Sequence, residues 1–484
     1  MRATPILRTL AAASVLAALA LPAAAQPLDR TAAPPAGPPT ALRVPTWTTG
    51  TLSNGAQLVV SERHGLPLVS FTISFVGGTS QYESAGKRGL GNFAVAMLNE
   101  GTATKTGDQL SNAWQLLGTS VNGGIGGERG SLSFTSTKRS FPAALALLTD
   151  MLVNPALPAD ALERIRARTL VQLQQAKDQP RAINAVVFPR VLYGDAHPYG
   201  QSTTEQTVRA ITRDDVAAFA RSYFTPGHAI VTVVGDVSPA EVRATLERTL
   251  ASAWKGASAP PSFAYPAVPA PRATTIYLVD KPGAAQTSVS IGIPGPARNT
   301  PDYYAIQVMN TVLGGVFQSR LNANIREQHG YSYGVGSGFA FGRGPGAFRA
   351  AGEIVTAKTD SALIEFMREL KGSQGARPWT QDELNMAKAN LIQSLPERFS
   401  STAAVNATIS SLYVDGLPAD YYQSFARNVN AVTLADLERV ASKYIDLGHL
   451  AIVVVGDRSV IEAPLRATNI APITVLDVNG MPVA

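Results

Sequence analysis

The sequence predicts an α+β protein built from two homologous α/β-sandwich domains in tandem, and three observations carry this prediction. First, YFTPGHAIVTVVGD (Tyr223–Asp236) and YIDLGHLAIVVVGD (Tyr444–Asp457) agree at seven of fourteen positions without a gap, and the helical segments starting at Thr212 and Thr433 align before them. A repeat this long indicates a duplicated domain and not a solenoid. Second, strand and helix patterns are mixed within each copy. Third, a stretch with five prolines, Pro260–Pro271, separates the copies.

The chain begins with the pattern of a secretory signal peptide. Arg2 and Arg8 precede an apolar run from Leu10 to Leu21, and an A-x-A site ends at Ala25. The run is shorter than the roughly 20 residues that a membrane span needs, and no later stretch approaches one. We therefore expect residues 1–25 to be removed near Ala25, no stable membrane insertion, and export to a bacterial periplasm.

Composition divides the rest of the chain and excludes several functions. We expect a Pro/Ala-rich tether over 26–45, an N-terminal domain over 46–258, a linker over 259–272 and a C-terminal domain over 273–484. The chain has no cysteine, which excludes disulfides, cysteine metal ligands and thiol nucleophiles. Lysine and arginine are scattered without a basic run, so no nucleic-acid partner is expected.

The first copy opens with a hairpin, LSNGAQLVVSE, whose turn is Asn54-Gly55, followed by the strand LVSFTISFVGG. The strand AIVTVVGD comes late in the copy. Between them apolar periodicity predicts helices at Gly89–Leu98, Gln109–Leu117, Phe141–Met151 and Ala159–Lys177.

The second copy repeats this order, with TSVSIGIPG as the matching strand. Helices are predicted at Tyr303–Leu313 and Phe317–Gln328. The cluster Leu313-Gly314-Gly315 breaks these helices and is expected to permit a close backbone approach.

The helix in GLGNFAVAMLNEGT (Gly89–Thr102) raises the question of function. It begins with glycines and has an apolar face, yet it contains no His, Cys or Asp, and its only acid is Glu100 at the end. With LYGDAHPYGQSTTEQTVRAITRDDVAAFARSYFTPGHAIVTVVGD and MNTVLGGVFQSRLNANIREQHGYSYGVGSGF, this segment resembles the pitrilysin/insulinase-type zinc metallopeptidases and the mitochondrial processing peptidases, or inverzincins. The resemblance runs from about Thr46 to the C-terminus and implies the mitochondrial processing peptidase-like metallohydrolase fold.

The resemblance also implies that the zinc site is lost. Active members carry H-x-x-E-H on this helix, where two histidines bind zinc and the glutamate is the general base. Asn92, Val95 and Ala96 stand at those positions. The third ligand, a glutamate about 76 residues downstream in the family, corresponds to Gln172 in ARTLVQLQQAKDQP. We therefore expect no metal or other cofactor in this chain, and zinc in a partner subunit.

No other site replaces the lost one. The chain has five histidines, no two at metal-ligand spacing, and no G-x-S-x-G nucleophile elbow. His228 and His449 occupy equivalent turns of the repeats, where a structural role is expected. The glycine-rich NGGIGGERG (Asn122–Gly130) lacks the setting of a phosphate loop, and a strand or loop lining the chamber is the favoured interpretation.

The resemblance assigns the remaining chemistry to Arg326 and Tyr333. In the family an arginine and a tyrosine seven residues later reach the catalytic chamber and contact the substrate backbone or the oxyanion. Arg326 is predicted in the last turn of a helix that Gly330 ends, and Tyr333 on the next strand. A structural origin stays open, since the helix dipole alone favours an arginine there.

The leading hypothesis is a pseudo-peptidase subunit of an exported zinc metallopeptidase. It would pair with a zinc-bearing homologous subunit, close around peptide substrates, and supply Arg326 and Tyr333 in trans. A non-enzymatic scaffold or peptide-binding module of the same fold is the alternative from another class. A lone hydrolase with unrecognised chemistry is a third possibility, for which the sequence offers no residues.

Overall fold

A computed structural model describes residues 42–256, 263–269 and 272–483. The predicted signal peptide and most of the predicted tether lie outside the described residues, as does part of the predicted linker. Below, the N-terminal half means residues 42–256 and the C-terminal half residues 272–483. Among the helices of this described part, none is long and apolar enough to cross a membrane.

Two six-stranded sheets form the framework, one from each half. The N-terminal sheet has the order β1-β2-β8-β3-β7-β6, and the C-terminal sheet has the order β11-β12-β10-β13-β9-β14. A short hairpin, β4-β5, stands apart. The strands are β1 (Thr48–Thr51), β2 (Gln57–Glu62), β3 (Leu68–Val76), β4 (Gly101–Thr102), β5 (Lys105–Thr106), β6 (Asn122–Ile125), β7 (Arg129–Thr137), β8 (Ala229–Gly235), β9 (Thr275–Asp280), β10 (Gln286–Pro294), β11 (Ser332–Phe339), β12 (Ala347–Val355), β13 (Ala451–Gly456) and β14 (Ile473–Leu476).

Helices pack on these sheets. In the N-terminal half the helices of eight or more residues are α1 (Leu90–Leu98), α2 (Gly107–Leu116), α3 (Phe141–Val153), α4 (Ala159–Ala176), α5 (Pro180–Tyr193), α6 (Arg213–Tyr223) and α7 (Pro239–Leu246). In the C-terminal half they are α8 (Tyr303–Asn310), α9 (Thr359–Lys371), α10 (Gln381–Gln393), α11 (Thr402–Val414), α12 (Tyr421–Asn430), α13 (Leu434–Tyr444) and α14 (Arg458–Ala467). Shorter helical segments include Thr79–Tyr82, Glu205–Ala210, Arg320–Asn322 and the π-type turns Glu247–Ala251, Thr311–Gly315 and Ala323–Gln328.

The two sheets share a five-stranded core, which confirms the predicted duplication and the α+β class. Strands β2-β8-β3-β7-β6 correspond in order and direction to β9-β13-β10-β12-β11. The repeated motif forms β8 and β13, and both strands are buried along their whole length. The helices before them, α6 and α13, begin with the same capping box, Thr212 with Asp215 and Thr433 with Asp436. Each sheet is built from one predicted copy, while the exact domain limits stay a prediction.

Each sheet is covered on one face by a helix from the other half. Helix α5 packs on β10 and β13, and helix α11 packs on β3 and β8. The apolar side chains of α5 join the C-terminal sheet in one cluster, which includes Ile183, Val187, Val453 and Val455. The side chains of α11 likewise join β2 and β8 of the N-terminal sheet through Val405, Ile409, Val59, Ile230 and Val234. This exchange explains why β8 and β13 are almost wholly apolar: they are covered on both faces.

A buried asparagine anchors each exchanged helix. Asn184 of α5 donates from Nδ2 to the carbonyls of Ser288 (3.1 Å) and Val453 (3.3 Å), on the neighbouring strands β10 and β13. Asn406 of α11 donates to the carbonyls of Ser70 (2.9 Å) and Thr232 (3.0 Å), on β3 and β8. Each side-chain oxygen accepts a strand hydroxyl at 2.6 Å, from Ser290 and from Thr72 respectively.

One predicted helix differs from the structure at its start. The segment predicted as Phe317–Gln328 is helical only from Arg320, and Ser319 before it is extended, with a ψ of 156°. The carbonyl of Phe317 accepts Asn322 Nδ2 at 2.8 Å, and the N–H of Ser319 closes a turn to Val316. These local hydrogen bonds compete with helical ones and delay the helix.

The two equivalent histidines have different environments. His228 is 6% exposed and its Nδ1 lies 3.1 Å from Thr225 Oγ1, while Tyr82 and Phe75 pack on its ring. Burial lowers the pKa of His228 to about 4. His449 is exposed and pairs with Asp446 at 2.6 Å. The burial of His228 and its contacts with Thr225, Tyr82 and Phe75 therefore support the predicted structural role.

His228 makes stability depend on pH. Because its pKa is lower in the folded chain than the ordinary 6.5, the unfolded chain binds a proton that the folded chain does not, between pH 6.5 and about 4. This contribution to stability is lost as pH falls through that window, by about 3 kcal/mol. In urea unfolding, the difference between wild type and His228→Gln should shrink by this amount from pH 7.5 to pH 4. A pH-independent difference contradicts the assignment, and His449→Gln is the exposed control.

Each of the two buried asparagines should contribute measurably to the free energy of unfolding. Asn184→Ala and Asn406→Ala each leave two carbonyls and one hydroxyl without their partner in the core, so each should lower the free energy of unfolding by about 2–4 kcal/mol. Urea denaturation measures this, with exposed Asn385→Ala as the control, for which a change below about 0.5 kcal/mol is expected. Losses at Asn184 or Asn406 as small as the control would show that the amides do not hold the exchanged helices.

Candidate functional site

Helix α1 begins on glycines that a buried carboxylate holds in place. Gly89 has a positive φ of 102°, and the Glu83 carboxylate accepts the N–H groups of Gly89 (3.1 Å) and Gly91 (2.6 Å). A Cβ on Gly91 would lie 3.0 Å from Ile125 Cγ2. Burial raises the pKa of Glu83, while these two N–H groups and nearby Arg88 oppose the shift. The start of the helix is thus fixed by sterics and by hydrogen bonds to its first turn.

The four positions of the family's zinc site carry no donor set for zinc. Asn92 is exposed on α1, Val95 is 7% exposed, and Ala96 packs partly against the N-terminal core. Val95 lies against the edge strand β6, because a Cβ on Gly123 would be 2.9 Å from its Cγ1. Gln172 is exposed on α4, which contacts α1. Two methyl-bearing side chains and two neutral amides do not fit a zinc ion.

Other ligands do not assemble nearby. Within residues 42–256, 263–269 and 272–483, no group of three His, Asp or Glu side chains is arranged to hold a metal ion. His197 is buried and accepts the N–H of Tyr199 at 3.1 Å, and burial lowers its pKa. His329 stacks on Tyr331. The residues present therefore do not fit zinc, and we derive no catalytic step through a metal in this chain.

Arg326 and Tyr333 lie at one end of the C-terminal sheet. Arg326 is in the π-type turn Ala323–Gln328, Gly330 ends that turn with φ 65°, and Tyr333 is the second residue of β11. The side chain of Tyr333 is 90% exposed. The placement on helix end and strand start is as predicted. No side-chain hydrogen bond joins the two residues in the described part of the chain.

The Arg326 guanidinium has its own local contacts. Its Cζ lies 4.2 Å from the ring centroid of Phe317, and its Nη1 lies 2.7 Å from Glu327 Oε1. Phe317 is itself 61% exposed. Arg326 thus presents a guanidinium that rests on an aromatic ring, and Tyr333 presents an exposed phenol. Both groups are hydrogen-bond donors that suit a carbonyl oxygen gaining negative charge.

A groove lies beside this pair, on the face of the C-terminal sheet that α5 covers in part. It consists of a cavity of about 880 Å³ and one of about 440 Å³, which share Gly314, Gly336, Arg349 and Ala351. We call the two together the C-terminal groove. The glycine cluster has the role predicted for it, because a Cβ on Gly314 would lie 2.4 Å from the backbone nitrogen of Ser337. The backbone at Gly314 therefore packs directly against β11.

The segment NGGIGGERG contributes to the larger cavity, as predicted for a chamber-lining strand or loop. It forms the edge strand β6 and the turn to β7, and Glu128 and Arg129 line the cavity. Oxygen Oε1 of Glu128 accepts Tyr265 OH (2.7 Å), Tyr199 OH and the N–H of Gly344 (3.0 Å). Burial alone would raise the pKa of Glu128, but these hydrogen bonds outweigh it and lower the pKa. Glu128 therefore joins the two halves at the groove.

Sequence reasoning missed two groove residues, Arg181 and Arg349. Arg181 is the second residue of α5, and Arg349 lies on β12 opposite Gly338 of β11. Both side chains line the smaller cavity. They are distant in sequence and belong to no motif, and only the exchange of α5 between the halves brings them to one surface.

Comparison with known proteins identifies the fold and its relatives. The family model "Insulinase (Peptidase family M16)" matches residues 59–196, and "Peptidase M16 inactive domain" matches residues 210–391. An uncharacterized zinc protease of Mycobacterium leprae is 27% identical over 345 residues, covering 70% of this chain and 76% of that protein. The uncharacterized zinc protease YmxG of Bacillus subtilis is 23% identical over 392 residues, covering 81% and 93%.

Solved structures agree with this result. The peptidase M16 inactive domain from Pseudomonas fluorescens superposes with a TM-score of 0.76 at 27% identity, covering 85% of this chain and 98% of that one. The first half of the periplasmic protease PqqL from Escherichia coli has the same fold, with a TM-score of 0.69 at 15% identity, over 87% and 96%. The predicted resemblance is therefore confirmed: the chain belongs to the peptidase M16 (insulinase) family.

Proposed function

We propose that this chain is a pseudo-peptidase subunit that pairs with a zinc-bearing homologue and contributes substrate contacts to a shared chamber. The observation that carries the proposal is the contrast between two sites of one chain. The positions of the zinc site hold Asn92, Val95, Ala96 and Gln172, whereas Arg326 keeps a partly exposed guanidinium and Tyr333 is 90% exposed. The zinc ligands and the general base are missing from this chain, and the hydrogen-bond donors Arg326 and Tyr333 remain.

In the proposed complex the partner supplies zinc, water and the general base. Arg326 and Tyr333 donate to a peptide carbonyl, and their worth rises as that oxygen becomes negative in the transition state. Phe317 supports this role, since its ring holds the guanidinium from one side. Substrates would be short or unfolded peptides, limited by the size of the chamber.

Export to the periplasm is part of the same proposal. Its support is the signal-peptide pattern that ends near Ala25, together with the fold shared with PqqL, a periplasmic protease. Periplasmic fractionation with an antibody to the chain tests this. The alternative of a non-enzymatic scaffold or peptide-binding module predicts instead that peptides bind without turnover, even when every available homologue is added.

Restoring the ligands tests the lost zinc site. The triple variant Asn92→His/Ala96→His/Gln172→Glu rebuilds two histidines and a carboxylate and leaves Val95, which packs on β6, unchanged. It should bind about one zinc ion per chain, while wild type binds none. Metal analysis after dialysis measures this. The double histidine variant without Gln172→Glu should bind zinc at least about tenfold more weakly. A triple variant as metal-free as wild type would contradict the assigned positions.

Substitution of the donor pair tests the proposed role. In the complex with a zinc-bearing homologue from the same genome, Arg326→Ala or Tyr333→Phe should lower kcat by roughly 10–1000-fold, since each removes a transition-state hydrogen bond. Steady-state hydrolysis of a quenched fluorescent peptide gives the rates. Leu116→Ala, at an 88% exposed site on α2, is the control. Unchanged rates would assign the pair to structure, and zinc-dependent hydrolysis by the lone chain would overturn the proposal.

A further inference from the structure

Arg181 and Arg349 are the charged groups of the C-terminal groove that lack an acidic partner. In the described part of the chain no carboxylate oxygen lies within 4.0 Å of either guanidinium. Glu353, the acid on the same cavity, accepts the Ser288 hydroxyl at 2.9 Å. Arg181 and Arg349 are both exposed, whereas the buried Arg320 is paired with Glu383 at 2.6 Å.

Arg349 is held in a fixed position. Its Nε and Nη2 donate to Ser290 Oγ at 3.0 and 2.8 Å, and Ser290 in turn donates to Asn184, the anchor of α5. Its Cζ lies 5.5 Å from the ring centroid of Phe188. Partial removal from water lowers the pKa of Arg349; Glu353 opposes this shift and the nearby Arg181 adds to it. A guanidinium oriented by its neighbours but without a counter-ion is ready to bind an anion.

We propose that Arg181 and Arg349 form a subsite for a carboxylate of a bound peptide, either its free C-terminus or an aspartate or glutamate side chain. The inference rests on the proposed function and names a substrate class for it. A guanidinium and a carboxylate make paired, charge-assisted hydrogen bonds.

The position of the subsite predicts where the carboxylate falls in the peptide. Arg349 lies opposite Gly338 on β11, and Tyr333 lies five residues earlier on that strand. At about 3.3 Å per residue this separation is at most roughly 17 Å, because the register of β11 shifts between Ser332 and Val335. An extended peptide whose carbonyl meets Tyr333 would therefore place its carboxylate on Arg349 about five residues away. Phe317 and Gly334 line the smaller cavity together with Arg349.

Binding to the lone chain tests the subsite without catalysis. The probes are peptides of about ten residues that contain no acid and carry an uncharged BODIPY dye, with either a free or an amidated C-terminus, and an amidated peptide with one internal aspartate. In anisotropy titrations the free-acid or the aspartate peptide should bind about 10–100-fold more tightly than the amidated one. The two acidic peptides distinguish a terminal from a side-chain carboxylate. Equal binding of all three overturns the proposal.

Variants assign the effect to the two arginines. Arg181→Gln and Arg349→Gln should each remove most of the preference for a carboxylate, measured as the ratio of the affinities for the free-acid and the amidated peptide. Arg349→Lys keeps the charge and should retain part of the preference. Arg221→Gln, an exposed arginine on α6, is the matched control. A preference that persists in Arg181→Gln/Arg349→Gln, with the thermal unfolding curve unchanged, overturns the assignment.

The outcome is separable from that of the proposed function. If no peptide binds to the lone chain, the subsite as proposed here is wrong, whereas hydrolysis by the complex still tests the role of Arg326 and Tyr333. If the complex hydrolyses peptides but does not distinguish acid from amide, the subunit role stands and the carboxylate subsite falls.

Discussion

The fold depends on covering two central strands, β8 and β13, from both sides. Each is buried along its whole length, and each half supplies helices for only one face of its own sheet. The second face is covered by a helix of the other half, held by Asn184 or Asn406. Neither half can bury its central strand alone, so the duplication yields one interdependent structure although its sequence reads as two domains.

The groove follows from this exchange. Helix α5 covers β10 and β13 but leaves the strands toward the sheet edge, β12 and β11, open beside it. The open strip becomes the C-terminal groove, with one wall from each half. Ser290 links fold and groove directly, because it donates to Asn184 and accepts from Arg349. A change that loosens α5 would therefore also release the guanidinium that faces the groove.

Local patterns in the sequence predicted local structure well. The Asn54-Gly55 turn, helix α1 and the repeated strand were readable because their signals lie within a few residues of one another. The start of the helix before Arg326 was placed three residues early, since a side-chain contact between Asn322 and Phe317 has no periodic signature. Helices α5 and α11 were not identified, and nothing in a single sequence indicates that a helix crosses to the other sheet. Arg181 and Arg349 were missed for that reason.

Exposure explains how the chemistry of α1 could be lost while its helix was kept. Asn92 and Gln172 are at the surface, where substitutions change stability by about 0.5 kcal/mol or less. Gly89 and Gly91, by contrast, are fixed by a positive φ, by Ile125 and by the Glu83 carboxylate. Folding thus constrains the glycines more tightly than it constrains Asn92 and Gln172. The same reasoning is consistent with the role proposed for Tyr333, because a phenol that is 90% exposed stabilises the fold little.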